Sequence, residues 1–188
     1  MEFDASLAGL GLLFYRITED GEVPVAHAQV DITGLDFGED SSFQNTAEFI
    51  GGVVAMRGLW MLGMHREAVL FRGDSISALS WIEKVGTKSD LAAPASIVFA
   101  YQSIFYGFTG IRTEHQAGVN HTLADSRSRE GTLADLGPAW ADKPLLDLHT
   151  DGLLELCRPG RSLSTDEELV EFLAAVKTEV LSFSEGSS

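Results

Sequence analysis

Four acidic residues stand where a carboxylate is out of place, and any chemistry in this chain begins with them. Asp4 heads the opening stretch Met1–Tyr15, whose apolar run Leu10, Leu12, Leu13, Phe14 and Tyr15 has the composition of a strand buried on both faces. Glu48 lies in Asn45-Thr-Ala-Glu-Phe-Ile50, at the start of an otherwise apolar helix. Asp74 follows the short apolar run Ala68–Phe71, and Asp125 follows Leu123-Ala. A buried carboxylate without a partner costs several kcal/mol. No basic residue precedes Arg16 to partner Asp4. Two bare carboxylates about 4 Å apart repel by roughly 4 kcal/mol at an effective dielectric of 20. Acids brought together beyond the strand ends of an open sheet therefore need divalent cations or forced protonation. Mg²⁺ suits such a set, because it takes oxygen ligands and keeps several waters. Two such ions about 3.5–4 Å apart activate a water and stabilise the leaving oxygen of a phosphodiester.

The elements that must position these acids follow from periodicity. Met1–Tyr15 reads as the first strand, and Glu19-Asp-Gly-Glu22 as a hairpin turn, since Asp-Gly tolerates positive φ. Val23–Ile32 reads as the second strand, and a weakly marked third is predicted near Leu35–Phe37. From Asn45 the period changes. Phe49, Val53, Met56, Leu59, Trp60 and Met64 follow helical spacing, with Asn45 as N-cap and Glu48 as its capping-box partner. Gly51-Gly52 inside that helix costs about 1 kcal/mol each relative to Ala, which predicts close packing against the sheet. Ala68–Phe71 is a buried strand and Ser75–Val85 a helix. Residues 89–108 form another helix with Pro94 in its first turn, Ile111–Glu114 a last strand, and Thr122–Arg129 a helix. This order predicts an α/β fold, a mixed sheet of about five strands with helices on both faces. Beyond Gly131 the chain reads as irregular, until Ser164-Thr-Asp-Glu167 opens a helix to about Ser182. Leu169, Phe172, Leu173, Val176 and Val180 share one face of it, which predicts packing back onto the domain.

Four blocks, in this order and spacing, resemble the ribonuclease H domain, most closely the version carried by retrotransposon reverse transcriptases. They are Asp4-Ala-Ser with Gly9-x-Gly11, Asn45-Thr-Ala-Glu48, Gly73-Asp-Ser-x-x-Ala-Leu79, and His115-x-x-Gly118 with Leu123-Ala-Asp125. The resemblance covers residues 1–130, taken as a catalytic domain, and leaves 131–188 as an extension with one helix at about 165–182. It implies a ribonuclease H-like fold and cleavage of the RNA strand of an RNA–DNA hybrid, giving 3′-hydroxyl and 5′-phosphate ends. It implies Asp4, Glu48, Asp74 and Asp125 as ligands of two Mg²⁺ ions, with Mn²⁺ as a substitute. Asp4 would bridge both ions, Glu48 and Asp74 would hold one, and Asp125 the other. His115 would be the loop histidine assisting proton transfer or product release. The chain departs from the family at His121, where an Asn is usual; a helix-capping or surface role is expected for it. It also lacks a basic hybrid-binding protrusion, since Lys84 and Lys88 are the only cations between Trp81 and Ile111.

Composition weighs on the substrate. The formal charge is −15, which argues against a dedicated nucleic-acid binder. Residues 66–129, with seven basic and six acidic side chains, are the one block that is net positive. A phosphate-contacting face there would draw on Arg72, Lys84, Lys88, Arg112, Arg127 and Arg129, and neighbouring polyprotein domains would have to add affinity. The competing reading is a catalytically silent ribonuclease H-like module serving structure or protein interaction. No apolar run approaches the roughly 18 residues of a membrane span. A single cysteine, Cys157, excludes an intramolecular disulfide and suits a reducing intracellular compartment, cytoplasmic or nuclear.

Overall fold

The opening stretch does not run as one strand. In a computed structural model that describes residues 1–6, 8–37, 43–118, 121–129 and 133–186, it folds back on itself at Ser6. The Ser6 Oγ accepts from the backbone N–H groups of Ala8 and Gly9, and its own N–H donates to the Gly9 carbonyl at 2.9 Å. A serine hydroxyl bonding the next backbone amides is a turn signal that the apolar run on either side concealed. Strand β1 is therefore Glu2–Ala5 and β2 is Gly9–Thr18, paired antiparallel with Asp4 opposite Gly11. The Asp20-Gly21 hairpin holds as expected, with Gly21 at φ +121°, and leads into β3, Gly21–Asp31. Residues 35–37 form no strand; the Leu35 N–H closes a turn onto the Ile32 carbonyl. The expected strand count thus survives, with the first strand split and the third lost.

The sheet has the order β3-β2-β1-β4-β5, where β4 is Ala68–Gly73 and β5 is Gly110–His115. β1, β2 and β3 pair antiparallel, while β1, β4 and β5 run parallel. The carboxyl ends of three parallel strands therefore share one edge, the place where open α/β sheets form their sites. This is the mixed five-stranded α/β architecture that the pattern predicts.

Helix α1, Phe43–Met61, is buried all round from Thr46 to Leu59. Its start precedes the expected one, so Asn45 lies inside the first turn and is no N-cap. The Asn45 Oδ1 instead accepts from Ser75 Oγ at 2.9 Å. The glycines explain how so long a helix sinks into the core. A Cβ on Gly51 would press on Phe3, one on Gly52 would lie 2.7 Å from Ile82, and one on Gly58 would collide with the Phe14 ring. Helices α2, Ile76–Lys84, and α3, Ala93–Phe105, follow. α3 is shorter than the predicted span, and Pro94 sits in its first turn as expected.

Neighbouring residues of β2 show that helices cover both faces. Leu10 approaches Gly51 of α1, whereas Gly11 backs onto helix α4, Thr122–Ser128. The α1 face carries the main core; beneath α4 lies a small second one of Leu13, Ala124, Leu136 and Trp140.

The chain beyond 133 is more ordered than its composition suggests. Two single turns of 3-10 helix at Leu133–Leu136 and Pro138–Trp140 precede an unpredicted short helix, α5, Asp151–Leu156. Helix α6, Asp166–Gly186, is capped by Thr165 and Glu168 rather than Ser164 and Glu167: Glu168 N–H donates to Thr165 Oγ1, and Thr165 N–H to Glu168 Oε2. Phe172, Val176 and Val180 join the main core. The fully buried Arg57 of α1 clamps this helix, pairing with Glu179, donating to the His149 carbonyl at 2.6 Å, and lying 4.4 Å from the Phe183 ring centroid. Among the described residues, no helix is long and apolar enough to cross a membrane.

Candidate metal centre

Three of the four acids meet at the carboxyl edge of the parallel strands. Asp4, Glu48 and Asp74 each offer a carboxylate oxygen, and these oxygens all lie within 4.8 Å of one another. Each comes from a different element. Asp4 belongs to the central strand β1, Asp74 follows β4 directly, and Glu48 reaches in from the second turn of α1. The early start of α1 and the link from Asn45 to Ser75, the N-cap of α2, fix Glu48 above the end of β1.

Glu48 is the deepest of the three. Its Oε1 accepts from the Ala5 backbone N–H at 3.0 Å and from Gln44 Nε2 at 3.1 Å. Its Oε2 is buried with no hydrogen-bond partner among the described residues. Burial, with Asp4 beside it, pushes the Glu48 carboxyl up to about 9. Asp4 is also buried, and one of its oxygens accepts from Ser128 Oγ at 2.6 Å. Burial raises Asp4 to about 6; Ser128 opposes that rise and Asp74 adds to it. A carboxylate oxygen without a partner among the described residues, in a cluster where burial raises both Asp4 and Glu48, fits a hard divalent cation. The donor set is all oxygen, as such a cation requires.

Asp125 stands apart from this triad. Its Oδ1 takes the Arg129 guanidinium at 2.7 Å, one helical turn on, and its side chain is 45% exposed. It remains close enough to Asp4 to help raise that carboxyl. The closeness comes from Gly11 of the first block. A Cβ on Gly11 would strike the Ala124 carbonyl and lie 2.6 Å from Ser128 N, so only glycine lets α4 lie directly on β2. His115 ends β5, opposite Gly73 in the register, and its Nε2 donates to the Asp74 carbonyl at 3.1 Å.

His121 is neither a cap nor a surface residue. It occupies the N-cap position of α4 without a capping bond and is almost fully buried. Its Nε2 donates to the Phe3 carbonyl at 2.8 Å, and its Nδ1 faces Gln116 Oε1 at 2.9 Å. His121 thus ties the start of α4 to the backbone just before Asp4. Two side chains that hydrogen-bond the clustered acids carry no signal of their own in the sequence. Gln44 precedes Glu48 by one helical turn, and Ser128 follows Asp125 by three residues on the helix face toward β1. Those i, i+4 and i, i+3 spacings from acids already singled out were the available signal.

The basic face is thinner than composition suggests. Arg72 is held by Glu22 and Glu114, Arg129 by Asp125, and Arg127 is buried. Lys84, Lys88 and Arg112 are exposed, and none of the three takes part in an ion pair among the described residues.

No family model and no curated protein sequence matches the chain. Among solved structures, RNase H1 from the halophilic archaeon Halobacterium salinarum NRC-1 is similar over 69% of this chain and 92% of that one, at 20% identity and a TM-score of 0.48.

Proposed function

We propose that the chain is a metal-dependent ribonuclease H that cuts the RNA strand of RNA–DNA hybrids, derived from a retroelement reverse transcriptase. The observation that carries this reading is the convergence of Asp4, Glu48 and Asp74 from three separate elements, with one Glu48 oxygen left unpartnered. The four-block sequence resemblance supplies the reaction. In this reading residues 1–130 form the catalytic unit and 131–188 an extension clamped by Arg57. Asp4, Glu48 and Asp74 would hold a divalent cation, Mg²⁺ or Mn²⁺, and Asp125 would complete a two-ion set. Bound there, the ions supply an activated water and neutralise charge on the phosphodiester.

The chain's own groups do the rest. The Ala5 N–H and Gln44 hold one oxygen of Glu48, and the other has no hydrogen-bond partner among the described residues. Asp125 can turn inward only by giving up Arg129, an exposed i, i+4 pair worth about 0.3–0.5 kcal/mol, so the cost is small. His115, exposed at the rim and anchored through Nε2, keeps its second ring nitrogen for proton exchange with a leaving group.

A second reading has its own support. The withdrawal of Asp125 into a pair with Arg129, and of Arg72 into two acidic pairs, suits a catalytically silent module. Incubation of a labelled hybrid with Mg²⁺, Mn²⁺ or excess chelator separates the two. Cleavage in either metal, abolished by chelator and by Asp74→Asn, is the expected result. A chain that binds hybrid tightly and cuts it in neither metal is the silent module.

A further inference from the structure

The geometry points to Ser128 as the residue that positions Asp4 for cation binding, through a hydroxyl donated to the carboxylate from the far side of the cluster. This rests on the metal-binding reading of Asp4, Glu48 and Asp74. Ser128 Oγ lies 2.6 Å from Asp4 Oδ2, the short distance typical of a donor meeting an ionised acceptor. The serine is completely buried, so no water replaces its hydroxyl if it is removed. Its one proton has two acceptors in reach, the Asp4 carboxylate and the Asp125 carbonyl at 2.9 Å. The carboxylate is the shorter and the charged one, and it takes the proton.

Ser128 is itself held without help from Asp4. Its carbonyl accepts from Ser6 Oγ at 2.7 Å, which ties the last turn of α4 to the β1–β2 turn. The bare Gly11 lets its backbone N–H approach β2 so closely that any Cβ there would lie 2.6 Å away. Turn, sheet and helix thus place the hydroxyl, and the hydroxyl places the carboxylate. With Oδ2 engaged by Ser128, rotation of Asp4 about its χ2 is restricted while a carboxylate oxygen of Asp4 lies within 4.8 Å of those of Glu48 and Asp74. A carboxylate ligand whose orientation is fixed by an outer hydrogen bond binds its metal more tightly, and loss of such a partner typically costs 10–100-fold in affinity.

The test is Mn²⁺ and Mg²⁺ titration of the substrate-free chain by calorimetry, for the wild type, Ser128→Ala, Ser128→Cys and Asp4→Asn, alongside thermal melts in chelator. The expected result is a drop in metal affinity of roughly 10–100-fold for Ser128→Ala, with a melting temperature in chelator close to wild type. Ser128→Cys, which keeps the volume and a weak donor, should fall between the two and covers the case in which the alanine variant fails to fold. In hybrid cleavage the metal concentration for half-maximal rate should rise for Ser128→Ala while KM for hybrid stays unchanged. Wild-type affinity in Ser128→Ala, with binding lost in Asp4→Asn, overturns the positioning role and leaves the metal site standing. A wild-type chain that binds neither metal at millimolar concentration overturns the metal reading and this inference with it.

Discussion

At the scale of single residues, Glu48 is the most exposed to the consequences of its own placement. Its carboxyl is buried, one oxygen has no donor, and Asp4 stands beside it. Its folded value near 9 lies above the ordinary 4.5, so the metal-free folded chain keeps a proton that the unfolded chain releases. The stability tied to that proton is complete below about 4.5 and is lost as pH rises toward 9. Without metal, Glu48→Gln should therefore stabilise the fold at pH 8, by roughly 1–3 kcal/mol, the usual range for relieving a buried unsatisfied polar group. The gain should shrink toward pH 5, because there the unfolded chain begins to hold the proton too and folding no longer has to take one up. Saturating Mn²⁺ should reverse the order, since only the wild type gains from binding. Denaturant melts at the two pH values, with and without metal, check all three statements. A variant less stable than wild type at pH 8 in chelator would make Glu48 a structural acid.

At the scale of elements, the site depends on how closely α4 lies on β2. That spacing is set by the absence of a side chain at Gly11. A Cβ on Gly9 would stand 2.6 Å from the Val30 carbonyl of β3, whereas one on Gly11 would meet three backbone atoms of α4, in Ala124, Arg127 and Ser128. Backbone cannot swing aside as the end of a flexible side chain can, so the helix itself must move. Gly11→Ala should cost about 1–3 kcal/mol or more, the range for overpacking a well-filled contact. It should also weaken metal binding, because Ser128 and Asp125 travel with α4. Gly34→Ala, where an added Cβ meets nothing within 4 Å, is the control expected to leave both properties unchanged. The comparison separates a packing effect from a general glycine effect.

At the scale of the whole molecule, charge opposes the proposed substrate. The net charge of −15 repels a polyanion that carries about one charge per 1.7 Å of duplex axis. Ion pairing has already consumed Arg72 and Arg129, leaving Lys84, Lys88 and Arg112 exposed for phosphate. Three contacts correspond to a salt slope of about −2.7 and two to about −1.8. Hybrid binding by the isolated chain should be weak, with Kd of roughly 10⁻⁴ M or above at physiological salt. Cleavage should improve at low salt and with Mn²⁺, and fusion to a basic hybrid-binding module should rescue the rate with the carboxylates untouched. Fluorescence anisotropy across a salt series measures the slope. Nanomolar binding in 150 mM salt would refute this account of the substrate face.

The types of the site residues, their order and the alternation of elements are local properties, and the sequence carries them openly. A charge beside an apolar run at Asp4 and Asp74, helical spacing from Phe49 to Leu59, and Asp-Gly at the hairpin each follow from the chemistry of a few neighbouring residues. Long-range matters were decided only in three dimensions. The turn at Ser6 depends on a hydroxyl bonding backbone amides inside an apolar stretch, so hydropathy alone reads straight through it. His121 became a buried strut and Asn45 a partner of Ser75 because their acceptors and donors lie at least 30 residues away in the chain. Ser128 gained its place opposite Asp4 because Gly11 on a neighbouring strand admits its helix. Asp125, equal to the other three acids by motif, was drawn aside by an arginine one turn along its own helix. Carboxylates mark a site through their cost of burial, which composition reveals; which of them converge is fixed by backbone approach and hydrogen-bond partners that only the packed fold supplies.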